Sequence, residues 1–287
     1  MLYQLPDTDI ERFLEEDMPY GDLTTSLLGI GNAQGSITFT SRHLTVLSCT
    51  EEACRVLERC GARVTSSMPS GTSVEAGVMF LSAEGSAASL HAGWKVALNL
   101  LEYASGIATR TAAIVNSARA VNPAVSVVTT RKSFPGTKKV AIKAIMAGGA
   151  MPHRLGLSES ILVFRHHTVF QGGLESFLET LSSLKQRAPE NRVIVEADTA
   201  EEALQIAAAG ADVVQVDKMP SEELAILVAG IHRQFPGLKV SAAGGINADN
   251  AAIYASTGVD ILVLSSVYFG KPSDIAALIN PYRSTLT

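Results

Sequence analysis

The sequence predicts an α/β protein in two parts, an N-terminal α+β module followed by an incomplete α/β barrel. Short β-like runs and one helix-like run occupy residues 34–84, separated by turns rich in Gly and Ser. From Val125 onward, short apolar strands alternate with Ala-rich helices, which is typical of a parallel sheet covered by helices. Polar residues stand at the carboxyl ends of these strands, the face where βα barrels place their chemistry.

The N-terminal part begins with a predicted helix at residues 7–17 and a turn-rich loop at 19–25. Strands are predicted at 36–40, 63–67 and 78–82, and a helix at 51–60. The Ala- and Leu-rich run 87–121 predicts two helices broken near Ser105-Gly106. We expect a first domain at 1–107, a barrel domain at 108–270 and a tail at 271–287 that returns to the first domain.

The barrel part contains six predicted strands, at 125–130, 161–164, 192–197, 212–217, 238–243 and 260–265. Helices are predicted among them at 139–147, 174–186, 200–209, 222–234 and 248–256. Apolar runs such as Val193-Ile194-Val195 fit strands that are buried on both faces. Since a closed barrel has eight strands, the pattern predicts an incomplete barrel or two further strands, with an open doubly wound sheet as the alternative.

The composition of the chain limits which partners and which cellular compartment are expected. The chain has 287 residues, a net charge of −5 and 47% hydrophobic residues, so it holds one large or two ordinary domains. An acidic balance argues against nucleic acid or a membrane surface as the partner. Cys49, Cys54 and Cys60 form no CxxC pair and no complete disulfide framework. With an acidic N-terminal segment and no apolar run of about 20 residues, we expect a cytoplasmic protein.

Positive charge is concentrated between Tyr103 and Ser158, where no Asp or Glu occurs. The basic residues of this segment are Arg110, Arg119, Arg131, Lys132, Lys138, Lys139, Lys143 and Arg154. Arginine binds a carboxylate or phosphate through two parallel hydrogen bonds, whereas lysine supplies a mobile point charge. The segment therefore predicts a site for a small, multiply charged anion, and a solvated basic face is the alternative.

A glycine pair, Gly244-Gly245, follows one predicted strand and precedes a helix. Glycines at such a turn let backbone N–H groups approach a phosphate. Together with Ser265-Ser266 at the end of the last strand, the pair predicts a phosphate site, although a bare turn has the same sequence.

Two carboxylates, Glu196 and Asp217, stand at the ends of neighbouring predicted strands. Carboxylates there ligate a divalent cation or accept hydrogen bonds from sugar hydroxyls, and each is alternatively a salt-bridge partner. With the basic segment they predict a sugar phosphate bound with Mg²⁺. His166-His167 has no metal-site spacing, and adjacent strand residues point to opposite faces, so we expect a structural role or a ligand contact.

The motifs occur in the order in which they occur in the quinolinate phosphoribosyltransferase family, and the chain resembles that family over nearly its whole length. They are Gly21-Asp22-Leu23-Thr24-Thr25, Thr130-Arg131-Lys132-Ser133-Phe134-Pro135-Gly136, His153-Arg154-Leu155-Gly156-Leu157, Glu196, Asp217, Gly244-Gly245-Ile246 and Gly258-Val259-Asp260. The resemblance implies an N-terminal α/β sandwich and an incomplete, six-to-seven-stranded barrel of the type II phosphoribosyltransferase kind. It also implies a homodimer, or a larger oligomer, with active sites shared between subunits.

The resemblance also implies roles for individual residues. A small anionic acceptor would contact Arg131, Lys132, His153, Arg154, Phe164, His166 and, from the partner subunit, the residue at position 95, which is Lys95 here. Glu196 and Asp217 would serve the ribose and Mg²⁺ of phosphoribosyl pyrophosphate, and its phosphate would lie against Ala243, Gly244, Gly245, Ser265 and Ser266. Lys132, Glu196 and Asp217 are the expected catalytic residues.

The chain departs from the family pattern at four places. A lysine that contacts the acceptor becomes Phe164, an arginine becomes Lys95, and the serine before the glycine pair becomes Ala243. A Leu-Asp-Asn motif becomes Val216-Asp217-Lys218. Fewer cations weaken the binding of a dicarboxylate, since each charge-assisted hydrogen bond contributes roughly 1.5–3 kcal/mol. These departures resemble a pyrophosphorylase branch of the family associated with molybdenum transport, so we expect an acceptor other than quinolinate. The alternatives are a decarboxylating quinolinate phosphoribosyltransferase of NAD biosynthesis and a non-catalytic oxyanion-binding protein.

Overall fold

The computed structural model describes residues 3–282, which divide into two compact units. The first unit comprises residues 3–112, 134–149 and 270–282, and the second comprises residues 113–133 and 150–269. The change of unit near residue 112 lies close to the expected boundary after residue 107. Segment 134–149, which the sequence pattern placed in the barrel, belongs to the first unit instead.

The first unit is built on a four-stranded antiparallel sheet with the strand order β13-β1-β5-β3 and a two-stranded ribbon of β2 and β4. Its elements before residue 90 are α1 (Asp7–Asp17), α2 (Leu23–Leu27), β1 (Gln34–Ser41), β2 (Thr45–Val46), α3 (Thr50–Arg59), β3 (Arg63–Ser67), β4 (Ser73–Val74) and β5 (Met79–Ser86). Ile37 and Phe39 alternate along β1 with half-buried residues and are fully buried in the core of this unit. The alternation positions one face of the sheet against the helices.

One continuous helix, α4 (Ala87–Val121), replaces the two helices expected from the sequence. The predicted break near Ser105-Gly106 is wrong because both residues serve close packing. The hydroxyl of Ser105 accepts a hydrogen bond from the backbone N–H of Ser48 at 3.0 Å. A Cβ on Gly106 would lie 3.0 Å from the backbone of residues 271–273. Gly106, which lies in the middle of α4, therefore allows the backbone of residues 271–273 to approach the helix closely.

A buried ion cluster explains why segment 134–149 packs in the first unit. This segment contains α5 (Lys138–Ala147), and the Nζ of Lys143 lies 2.6 Å from a carboxylate oxygen of Glu52 and 2.8 Å from one of Glu51. Lys143 and Glu52 are both fully buried. Glu52 also accepts a hydrogen bond from the backbone N–H of Leu5. A buried charge of either sign needs its partner, so the cluster fixes α5 against α3.

The last described strand, β13 (Ile275–Pro281), completes the sheet of the first unit. It pairs antiparallel with β1 from Gly35 opposite Pro281 to Ser41 opposite Ile275. Ile275 is 3% exposed and belongs to the core of that unit. Residues 283–287, the end of the expected tail, lie outside the described residues.

The second unit contains a seven-stranded parallel sheet with the order β7-β6-β12-β11-β10-β9-β8. Its strands and helices are β6 (Ser126–Thr129), β7 (Met151–Pro152), β8 (Ile161–Val163), α6 (Arg165–Thr168), α7 (Leu174–Arg187), β9 (Val193–Ala197), α8 (Ala200–Ala208), β10 (Val213–Asp217), α9 (Ser221–Gln234), β11 (Lys239–Ala243), α10 (Ala251–Ser256) and β12 (Ile261–Leu264). Among the described residues β7 and β8 do not pair with each other, so the barrel is incomplete. The predicted fold class is confirmed.

The seventh strand, β7, is the one that the sequence pattern missed. It has two residues, one of them Pro152, and neither an apolar run nor an alternation marks it. It precedes His153, whose backbone N–H donates to the carbonyl of Thr129 at 2.9 Å.

No helix in residues 3–282 is long and apolar enough to cross a membrane.

Candidate active site

A cavity of about 650 Å³ opens at the carboxyl ends of the parallel strands, within the second unit. Its volume suits a small-molecule ligand. Twelve of the predicted site residues line it, namely Arg131, Lys132, His153, Arg154, Phe164, Glu196, Asp217, Ala243, Gly244, Gly245, Ser265 and Ser266. Lys95 and His166 are not among the lining residues.

The strand register brings the cavity residues together. Glu196 on β9 lies opposite Gln215 on β10, and Asp217 lies opposite Ala243 on β11. Because alternate residues of a strand point to the same face, Gln215 and Asp217 both point into the barrel interior. One level below them, Leu162, Ile194 and Val213 form an apolar cluster. The cavity therefore has an apolar base and polar walls.

One wall of the cavity is cationic. Arg131, Lys132 and Arg154 have no carboxylate partner among residues 3–282, and Arg154 is only 9% exposed. Burial lowers the pKa of Arg154, and the charge of Arg131 lowers it further. Burial and the neighbouring Arg154 likewise lower the pKa of His153. Like charges held together without counter-ions favour the binding of an anion.

The glycine pair brings the loop after β11 against the end of β10. Gly244 and Gly245 have φ values of +86° and +74°, in the region that glycine adopts most easily. A Cβ on Gly244 would lie 2.5 Å from the Oδ1 of Asp217, so a side chain there does not fit. The Nδ2 of Asn250 donates to the carbonyl of Gly245 at 3.1 Å, and the Oγ of Ser266 donates to the carbonyl of Ile246 at 2.8 Å. These bonds hold the loop in one conformation.

The two carboxylates of the cavity have different partners. Gln215 donates through its Nε2 to the Oε2 of Glu196 at 2.8 Å. Burial raises the pKa of Glu196, and the negative charge of Asp217 adds to the rise. The Nζ of Lys218 lies 3.1 Å from the Oδ2 of Asp217, so Asp217 has a counter-ion. Lys218 has a φ of +57°, an unusual conformation for a residue with a long side chain, and strain of this kind is often found at functional sites.

The donor set fits Mg²⁺ only together with a substrate. Across the described part of the chain, no group of three or more His, Cys, Asp or Glu side chains is placed to hold a metal ion. Magnesium is commonly bound by one or two carboxylates, with water and substrate phosphates completing its coordination. Glu196 and Asp217 fit that arrangement and form no closed protein cage.

His166 and His167 were expected on a strand, but the structure places them in a helix. β8 ends at Val163, and His166 and His167 lie in the short helix α6, where the Nδ1 of His167 accepts a hydrogen bond from the backbone N–H of Phe164 at 2.9 Å. This bond caps the first turn of α6 and ends the strand earlier than the apolar pattern indicated. Phe164 lines the cavity, whereas His166 is exposed. A contact of His166 or Lys95 with the acceptor stays a prediction.

Four polar residues of the cavity were not among the predicted site residues, namely Thr130, Gln215, Lys218 and Asn247. Gln215 could have been found from the alternation along β10, because it lies two residues before Asp217 and shares its face. Lys218 has no comparable signal, since its place in the cavity depends on its positive φ.

An incomplete parallel barrel with a cation-lined cavity at its strand ends places the chain among the α/β-barrel proteins that carry their functional site at that face. Comparison with protein families makes the assignment specific. Residues 22–105 match the N-terminal domain of quinolinate phosphoribosyl transferase, and residues 107–276 match its C-terminal domain. The chain belongs to the quinolinate phosphoribosyl transferase family, a family of pentosyltransferase enzymes. The resemblance inferred from the motifs is confirmed.

Individual relatives place the chain within that family. It is 45% identical over 251 residues to the ModD protein of Rhodobacter capsulatus, which is named as a pyrophosphorylase, covering 88% of this chain and 96% of the relative. It is 30% identical over 263 residues to the carboxylating nicotinate-nucleotide pyrophosphorylase of Mycobacterium leprae, covering 90% and 91%. NadC from Streptococcus pyogenes shares the fold, with a TM-score of 0.88 at 23% identity over 98% of this chain and 100% of that one.

Proposed function

We propose that this chain transfers the phosphoribosyl group of phosphoribosyl pyrophosphate to a small anionic acceptor other than quinolinate, with release of pyrophosphate. The observation that carries this proposal is one cavity that combines three cations without carboxylate partners, Arg131, Lys132 and Arg154, with Glu196 and Asp217. An anion-binding site alone would gain little from two carboxylates. Similarity to proteins named ModD and to nicotinate-nucleotide pyrophosphorylases supports the same reaction type.

The donor would lie across the carboxyl ends of β9 and β10, at the level of Asp217 and the glycine loop, above Gln215. The backbone of Gly244 and Gly245, with Ser265, would hold its 5-phosphate. Glu196 and Asp217 would accept hydrogen bonds from the ribose hydroxyls. Mg²⁺ bound by these carboxylates and the pyrophosphate oxygens would supply positive charge to the leaving group.

The reaction needs position and charge and no protein nucleophile. A nitrogen of the acceptor would attack the anomeric carbon as the bond to the pyrophosphate oxygen breaks. Lys132 and Arg131 would stabilise the departing pyrophosphate, and Arg154 and His153 would hold the anionic group of the acceptor. Holding both reactants in one cavity converts a bimolecular step into an effectively unimolecular one.

The apolar wall supports an acceptor other than quinolinate. Leu162 and Phe164 both line the cavity, and Phe164 stands at the position where the family pattern has a lysine. Lys95 of the partner subunit in a homodimer, or in a larger oligomer, would supply a further cation. A role linked to molybdenum transport rests on the similarity to ModD proteins.

A pyrophosphate-release assay with phosphoribosyl pyrophosphate and Mg²⁺ tests the proposal. Quinolinate, nicotinate and a pooled small-molecule extract serve as acceptor sources. We expect pyrophosphate release with the extract and none with quinolinate or nicotinate. In Asp217→Asn the rate of release should fall by about 100-fold or more, since Asp217 contacts the reacting sugar. Asp17→Asn, an exposed change in α1, is the matched control and keeps full activity.

Other outcomes separate the alternatives. Release with quinolinate that disappears in Asp217→Asn identifies the decarboxylating quinolinate phosphoribosyltransferase alternative. Absence of release with every acceptor source contradicts the transferase proposal and favours an oxyanion-binding protein.

A further inference from the structure

Gln215 carries a buried polar atom that no residue satisfies. Its side chain lines the cavity and is 4% exposed. Its Oε1 has no hydrogen-bond partner among the described residues. The hydroxyls of Ser48 and Ser160 are also unpaired, but neither residue lines this cavity. An unpaired buried carbonyl is unfavourable, so its presence inside a ligand cavity needs an explanation.

The orientation of the amide is fixed by Glu196. A carboxylate only accepts hydrogen bonds, so the Nε2 of Gln215 must face the Oε2 of Glu196, which lies 2.8 Å away. Rotating the amide by 180° would place two oxygens against each other. The unpaired Oε1 is therefore an acceptor with a defined place, and only an N–H or O–H group can satisfy it.

The register places Gln215 on the floor of the cavity. It lies opposite Glu196 on one side and Ser241 on the other, one level below Asp217. The apolar cluster of Leu162, Ile194 and Val213 lies beneath it. Arg154, which holds the anionic group of the acceptor in the proposed function, follows the end of β7 at the mouth of the cavity. An acceptor whose anionic group is held by Arg154 therefore reaches Gln215 with its opposite end.

We propose that Gln215 determines acceptor specificity by accepting a hydrogen bond, through Oε1, from an N–H or O–H group of the acceptor. The acceptor is then a small, partly apolar anion with a hydrogen-bond donor at the end away from its charge. Quinolinate, which has two carboxylates and no such donor at neutral pH, leaves Oε1 unsatisfied and is disfavoured. This inference rests on the proposed function, since it takes the cavity as the acceptor site.

The test uses two planar anionic probes. Orotate has a carboxylate and ring N–H donors, whereas quinolinate has carboxylates alone. Isothermal titration calorimetry compares their binding to wild-type protein and to Gln215→Met, a change of similar volume that removes the acceptor oxygen. We expect wild-type protein to bind orotate more tightly, and Gln215→Met to lose roughly tenfold in orotate affinity while its quinolinate affinity is unchanged or higher.

Ser241→Ala is the matched control, because it removes a buried hydroxyl on the neighbouring strand at the same level, outside the cavity lining. It leaves both affinities unchanged. Gln215→Leu replaces Gln215→Met if the latter does not fold. The orotate preference of wild-type protein is measured without any variant, so a wild type that binds orotate no more tightly than quinolinate overturns the proposal.

Binding of phosphoribosyl pyrophosphate, measured in the same proteins, separates the two proposals. If Gln215 acted only by holding Glu196, Gln215→Met would weaken donor binding and spare orotate, which overturns the specificity role. Equal effects on both probes overturn it as well. Wild-type protein that does not bind phosphoribosyl pyrophosphate overturns the proposed function itself, which no result with the two probes can do.

Discussion

His153 links anion binding to pH because of where its side chain lies. Burial and the charge of Arg154 lower its pKa from the usual 6.5, so the imidazole is neutral in the ligand-free protein at neutral pH. The unfolded chain then binds more protons than the folded one as the pH falls below about 6.5, and the ligand-free protein loses stability there. An anion bound beside His153 offsets the repulsion from Arg154 and stabilises the protonated imidazole, so it raises the pKa of His153 again.

Binding of an anion should therefore take up a proton at His153. We expect the affinity for a small carboxylate such as orotate to rise as the pH falls from about 7.5 to about 6, because protonation of His153 adds a positive charge beside the bound carboxylate. Calorimetry in buffers of different ionisation enthalpy measures the proton uptake. His153→Asn removes the pH dependence, and His43→Asn, an exposed position outside the cavity, keeps it. Equal pH dependence in both variants contradicts the assignment.

Individual site residues were predictable from the sequence where they stand at the end of a predicted strand or in a glycine turn. Glu196, Asp217 and Gly244 stand at such points and line the cavity. His166 was expected at the site from the family resemblance, but it lies in helix α6 and outside the cavity lining, because the hydrogen bond from Phe164 to His167 starts a helix directly after β8. A local side-chain bond of this kind competes with strand pairing and leaves little trace in hydrophobic periodicity.

Helix α5 is held in place by charge as well as by packing. Lys143 projects from it into the interior of the first unit and meets Glu52 on α3. Replacing Lys143 by Met should lower the free energy of unfolding by about 3–5 kcal/mol, because Glu52 is left charged and buried. Chemical denaturation measures the loss.

Two further variants test that explanation. Lys138→Met, at an exposed position of the same helix, should change stability by less than about 0.5 kcal/mol. The double variant Lys143→Met with Glu52→Gln should recover part of the loss, because no uncompensated charge stays on Glu52. A double variant less stable than the single one would show that packing around the lysine stem dominates.

Elements with a strong period were predictable and those defined by contact were not. The six longer barrel strands are found where apolar runs indicated them. The break expected in α4 followed from Ser105-Gly106, yet a small residue inside a helix also allows close packing, and the sequence does not distinguish these uses. The same limit applies to segment 134–149, since the partner of Lys143 lies 91 residues away.

At the scale of the whole chain, the C-terminal segment completes a sheet that the N-terminal segment begins. β13 covers the free edge of β1 and buries Ile275 in the core of the first unit. Ile275→Asp should destabilise the protein by about 3 kcal/mol or more, because it buries an unpaired charge. Leu278→Asp on the same strand, where the side chain is 57% exposed, should cost less than about 1 kcal/mol. Thermal denaturation distinguishes the pair, and equal losses would argue against a role of β13 in the core.

Helix α4 has a consequence for how family members can be recombined. The two family models meet between residues 105 and 107, in the interior of this uninterrupted helix. A chimera joined there with one residue inserted or deleted would rotate every later position of the helix by about 100°. The residues of its buried face would then point more than a quarter of a turn away from the core along the remaining turns. A chimera joined within α4 must therefore keep the number of residues in the helix unchanged, so that the buried face of the second half stays in phase with that of the first.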